Sequence, residues 1–266
     1  MLPELCPEEI SAALDQTAEA MLERAGCTAP PVDALALAEA LGLQIAFDAG
    51  QRERGRLVTL HSSHAAACRW QSGACADRSR SQPGPPLHQC PSRTTTLIIL
   101  RPDARAERRQ WAAAHELGEH AAWEVFHHLG ADVRLVVPAW RERVACWLAS
   151  RLLLPSTWFR HRAESVAWDL WEIKALFATA SHELILRRML DFEAPLVISI
   201  YDQGRLALRR SNLPGRVPPA GADELHCLAR VRRSGRPARR GSAACWPVYE
   251  PGWQRELVRW EPDPPE

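Results

Sequence analysis

The chain has almost no excess charge of either sign: 33 Lys and Arg against 32 Asp and Glu leave a formal net charge of +1 over 266 residues. That balance gives no electrostatic footprint for a polyanion or an anionic membrane surface, so direct nucleic-acid binding is not expected. Also lacking is any apolar run of about 18 residues or more, the length that would suggest a membrane-spanning helix. The N-terminus has no basic segment leading into an apolar core, so no export signal is visible and the expected location is the cytoplasm. No C-x-x-C pair occurs among the eight cysteines, at positions 6, 27, 68, 75, 90, 146, 227 and 245. In a reducing compartment such scattered residues are free thiols rather than a disulfide framework. With 46% hydrophobic residues the chain is soluble and globular, long enough for one large domain or a domain of about 200 residues with an appendage.

The chemistry concentrates in residues 107–124, ERRQWAAAHELGEHAAWE, around His115-Glu116-Leu117-Gly118-Glu119-His120. A zinc peptidase holds its metal with two imidazoles on one helix and uses the adjacent glutamate as the base for water. Here the histidines stand five apart, one more than in H-E-x-x-H. At about 100° per residue, positions four apart share a helix face and positions five apart diverge by about 140°. Two arrangements follow. A one-residue π-type bulge near Gly118 returns His120 to the side of His115, or a regular helix pairs His115 with Glu119. The bulge is the expected arrangement, because two imidazoles suit zinc better than a mixed pair. Ser181-His182-Glu183-Leu184 repeats the His-Glu-Leu triplet without a second histidine four or five residues on, and carries no site.

Around this cluster the patterning is that of a mixed α+β domain. Apolar spacing predicts a helix over Glu8–Arg24 and a second over Ala34–Leu41, capped by Asp33 and ended by Gly42. Leu43–Phe47, Leu57–Leu60 and Thr94–Leu100 read as strands, the first two as neighbours. Residues 61–93 hold His61, His64, Cys68, Cys75, His88 and Cys90 among Ser, Gly, Pro and Arg. Their spacings match no tight zinc knuckle, and the stretch reads as a variable loop insertion. After a strand-like piece at Val133–Val137, a helix from about Pro138 stops at Pro155. On it Glu142 shares a stripe with Cys146, Ala149 and Leu153. A carboxylate aimed at apolar surroundings is relieved by a cation, which makes Glu142 the candidate third ligand.

Farther on, Trp158–Phe177 reads as packing. Arg187 and Arg188 on a Ser181–Leu190 helix read as a solvated face rather than a DNA-reading one. Leu196–Tyr201 and Arg205–Leu208 form a predicted hairpin around Asp202-Gln203-Gly204, with Tyr201 in its core. Residues 213–266, rich in Pro, Arg and Trp, read as a C-terminal extension to a domain at 1–212, with an exposed basic run from Arg230 to Arg240.

A helix bearing H-E-L-G and a second histidine, followed by Glu142, Ala145, Ala149, Leu152, Leu153 and Pro155, resembles the ImmA/IrrE family of metallo-endopeptidases over roughly residues 30–212. The resemblance implies a zincin-like α+β fold, with the active-site helix packed on a small mixed sheet. It implies Zn2+ held by His115, His120 and Glu142, with Glu119 the alternate ligand, and Glu116 as general base. The implied substrate is a peptide bond in a protein, the target a transcriptional repressor. At the position after one further helical turn from Glu142, where the family often has Asn or Asp, this chain has Cys146, so a supporting hydrogen bond is weakened or lost. The rival reading keeps the fold but not the catalysis: a zincin-fold module with a distorted or empty metal site that regulates a partner.

Overall fold

The computed structural model describes residues 6–62, 93–192 and 194–262. The cysteine- and histidine-bearing stretch between Ser62 and Arg93 lies outside the described residues. The chain opens with helix α1 (Pro7–Arg24), then α2 (Ala34–Ala40). Asp33 caps α2 by accepting from Leu35 and Ala36 N–H groups, as the sequence indicates. Gln110 ties that cap to the next long helix, accepting from Ala34 N–H at 2.7 Å and donating to Asp33 at 2.9 Å.

Strands β1 (Gln44–Phe47), β2 (Gly55–Ser62) and β3 (Arg93–Leu100) form a mixed sheet in the order β1-β3-β2. β3 is central, parallel to β1 and antiparallel to β2. The two strands read from the sequence as neighbours are therefore separated by β3, whose Ile98 and Leu100 are fully buried. β2 is an outer strand of this sheet among the described residues, which matters for the site below.

Helix α3 (Ala106–His128) packs on this sheet and, most extensively, on α4 (Pro138–Leu153). Buried alanines flank the contact: Ala114 and Ala121 share the Gly118 face of α3, and Ala145 and Ala149 lie on α4. Small side chains let two helix backbones come close. One close approach is at Gly118, where a Cβ would strike the Ala145 carbonyl oxygen. Between the helices, Val133–Leu135 forms a 3-10 turn rather than the strand-like piece its apolar residues suggest, with Asp132 capping Arg134 N–H.

Short helices α5 (Ser156–Ser165), α6 (Leu170–Leu176) and α7 (His182–Arg188) follow. Phe159, Phe177, Phe192 and Trp168 gather beneath them, a packing cluster as predicted. The two α7 arginines behave differently from a solvated face. Arg188 is 2% exposed, paired with Asp191 and donating to Leu154 O, and Arg187 holds Glu183. Burial of a cation is tolerated there because its donors are matched by acceptors.

The second sheet has the order β5-β4-β8-β7-β6, from β4 (Val197–Asp202), β5 (Arg205–Ser211), β6 (Ala238–Arg240), β7 (Ala243–Glu250) and β8 (Trp253–Trp260). Strand alternation splits its faces. Ile198, Ile200, Ala244, Trp246 and Leu257 join the main core, while Cys245 and Val258 point to α8 (Ala222–Ser234) on the other side. Tyr201 packs on that second cluster, under Arg232 at 5.3 Å. The β4–β5 hairpin forms as expected, but β8 is inserted beside β4, so the boundary expected at residue 212 runs through one continuous sheet. The basic run is exposed, and three of its six arginines also form ion pairs: Arg232 with Glu256, Arg239 with Asp169 and Arg240 with Asp223.

Candidate metal centre

Helix α3 is regular α-helix from end to end, with no π turn, and that decides which side chains meet. His115 and Glu119 share the face turned to α4 and β2, whereas His120 is rotated off it, exposed, near Glu124 and Arg24. The expected bulge is not there. Gly118 serves a different end: it admits the Ala145 carbonyl and so draws α4 close enough for its side chains to reach His115.

Those side chains are Glu142 and Cys146, one helical turn apart. His115 Nε2 lies 3.5 Å from Glu142 Oε1, and Cys146 Sγ lies 3.7 Å from His115 Nδ1 and 3.8 Å from Glu142 Oε1. One donor atom from each residue falls within 4.8 Å of the others, a group able to hold a cation. His115 and Glu142 thus meet across α3 and α4, but the Glu142 side chain is 60% exposed rather than turned into apolar surroundings as its stripe suggests. Cys146 is the residue that reasoning passed over as a ligand, although it sat in the same stripe as Glu142.

Glu116 points away from α4 toward β2. It is 6% exposed, and its carboxyl lies against Gly55, where a Cβ would sit 2.5 Å from Oε1. Burial raises its pKa to about 7, helped by the negative charges of Glu119, Glu142 and Glu53, while a hydrogen bond from the Leu57 backbone works the other way. Cys146 is likewise pushed up, to about 11, by burial first and then by Glu142. All of these groups line one cavity of about 500 Å³, whose walls include His115, Glu116, Glu119, Glu142, Cys146 and residues 53–57, which lead into and begin β2. Cys146, Trp111 and Arg54 also line an adjoining cleft of about 940 Å³ that runs between α3, α4, α7 and the β7–β8 hairpin.

Residues 78–189 match the family model of the IrrE N-terminal-like domain, Peptidase_M78. By that match the chain carries an ImmA/IrrE-family domain. The ImmA/IrrE domain takes in β3, α3, α4 and the helices through α7, so His115, Glu116, Glu142 and Cys146 all fall inside it. The family is one of metallopeptidase type, consistent with a donor cluster beside a buried glutamate. Among solved structures, a Mycobacterium tuberculosis transcriptional regulator is similar in fold, with a TM-score of 0.62 at 15% identity over 94% of this chain and 76% of that one. No match was found among curated proteins. No described helix is long and apolar enough to cross a membrane.

The donor set fits the metal the family implies. An imidazole, a carboxylate and a thiol are all zinc ligands, and among the described residues the group of three faces the cavity.

Proposed function

We propose that this chain is a zinc-dependent endopeptidase of zincin-like architecture acting on a protein substrate. One observation carries the reading: the buried Glu116 carboxyl of α3 and the pair formed by His115 of α3 with Glu142 of α4 open onto the same cavity. His115 and Glu142 would hold Zn2+, which when bound polarises a scissile carbonyl and lowers the pKa of water toward about 7. Glu116 accepts the proton of the attacking water at its carboxylate and hands it to the departing amine. A pKa near 7 suits a group that must first take and then give a proton. The start of β2 at Gly55–Leu57, with Glu53 and Arg54 leading into it, offers an outer strand edge to an extended peptide, and such a strand orients a scissile bond. The likeness in fold to a transcriptional regulator supports a role within transcriptional control, and the family resemblance adds a repressor as the target.

The decisive comparison is Glu116→Gln against wild type, with cleavage of a fluorogenic peptide library and zinc content measured together. The reading expects zinc retained and cleavage lost, by at least about 100-fold. A second reading draws on His120 standing outside the cluster: a zincin-fold module that binds and senses rather than cuts. If wild type holds zinc but shows no cleavage, with Glu116→Gln indistinguishable from it, that second reading stands.

A further inference from the structure

The ligand that completes the candidate centre need not come from α3. We propose that Cys146 is the third protein ligand, as a thiolate, in the place that the sequence gives to His120. The inference rests on the proposed metal centre and names its inner coordination.

The argument is geometric. In a tetrahedral site with bonds of about 2.0 Å to nitrogen or oxygen and about 2.3 Å to sulfur, donor atoms stand roughly 3.3–3.6 Å from one another. With one donor atom from each residue, His115, Glu142 and Cys146 all fall within 4.8 Å of one another. The nearest approaches are 3.5 Å from His115 Nε2 to Glu142, 3.7 Å from His115 Nδ1 to Cys146 and 3.8 Å from Cys146 to Glu142, so a turn of the imidazole that presents one nitrogen to both partners brings the set toward that spread. His120 cannot reach the same point while α3 stays regular, as it does from Ala106 to His128. A structural cysteine makes a different set of contacts: Cys227, fully buried, packs with Leu228 and Val231 on α8. Cys146 instead aims its sulfur at two other donors and lines both the site cavity and the adjoining cleft. On binding, the thiol S–H breaks, its proton leaves to solvent and a sulfur lone pair forms the bond to the cation, with no change of oxidation state.

Glu119 is the competing donor, since it also lines the cavity, and so is His120 if α3 rearranges. Cobalt(II) distinguishes them, because only a thiolate gives a sulfur-to-cobalt charge-transfer band in the near ultraviolet. The full-length protein, stripped by chelation and titrated with Co2+, is expected to show that band at one equivalent. Cys146→Ser should lose it and bind Co2+ and Zn2+ at least about tenfold more weakly, while His120→Ala leaves band and affinity unchanged. Circular dichroism of the stripped variants confirms that each has folded. Stoichiometric cobalt binding without the band, or a band that survives in Cys146→Ser, overturns the assignment of Cys146 and leaves the peptidase reading standing. No stoichiometric binding by wild type, or equal binding by His115→Ala, overturns both.

Discussion

At the scale of single residues, Glu116 carries two separable consequences. Its folded pKa of about 7 lies above the ordinary carboxylate value, so the folded chain retains a proton that the unfolded chain has released. Stability from this group is therefore fully present below about pH 4.5 and declines as the pH rises toward 7. Above that, the stripped protein carries a buried, ionised carboxylate among other acids. Glu116→Gln should raise the Tm of the chelated protein at pH 8, by a stability gain on the order of 2 kcal/mol after allowing for screening at the cavity mouth. At pH 5 the gain should shrink to a fraction of that, and differential scanning calorimetry at the two pH values measures both. Equal shifts at both would mean that the carboxyl is not titrating where its burial places it. The identity of Glu116 was legible from its place beside His115. Its burial was not, because that depends on Gly55, a residue 61 positions earlier in the chain, lying against the carboxyl.

Two glycines at the level of elements decide how the site is assembled, and they act on different parts of it. Alanine at position 118 would gain about 1 kcal/mol of helix propensity. It would also push against a backbone carbonyl, which cannot rotate aside as a side chain can. Overpacking of that kind costs about 1–3 kcal/mol, so the balance falls on destabilisation. Gly118→Ala should lower Tm by a few degrees and weaken zinc binding, since separating α3 from α4 separates His115 from Glu142 and Cys146; isothermal titration reads the second effect. Gly55→Ala works on the other wall. Its Cβ would meet three atoms of the Glu116 side chain at 2.5 to 3.0 Å, so the carboxyl must shift while the metal-facing donors stay in place. Zinc affinity should hold and kcat fall by up to about 100-fold, the scale of a misplacement near 1 Å. Helices α1 to α4 and the three strands of the first sheet were readable from periodicity and caps. The absence of the bulge was not, because nothing within the six-residue motif distinguishes a π turn from the regular helix that α3 adopts.

For the molecule as a whole, the question is whether the chain beyond residue 212 is an appendage. Composition suggested so, because Pro, Gly and Arg dilute the hydrophobic pattern there. Yet β7 and β8 are short strands with two buried faces: Trp246 and Leu257 enter the main core, Cys245 and Val258 face α8. Period-two alternation is masked when both sides are covered, which is why these strands escaped the sequence. They also tie the halves together. Asp169 caps α6 and accepts from Arg239 at 2.7 Å and from the Trp246 indole at 3.3 Å, and Arg255 joins Glu183 on α7 to Asp202 on β4. Ending the chain after Asn212 would strip β4 of its β8 partner and uncover Ile198 and Ile200, along with the main-core surface that Trp246 fills. The truncated chain should lose cooperative thermal unfolding and bind a hydrophobic dye, whereas the full chain melts in one transition. Losing the β7–β8 hairpin also removes one wall of the large cleft beside Cys146, so zinc affinity should fall with the fold rather than separately from it. A truncated chain that melted cooperatively and bound zinc as tightly as the full one would make residues 213–262 an independent attachment, and the single core drawn across both sheets would have to be divided.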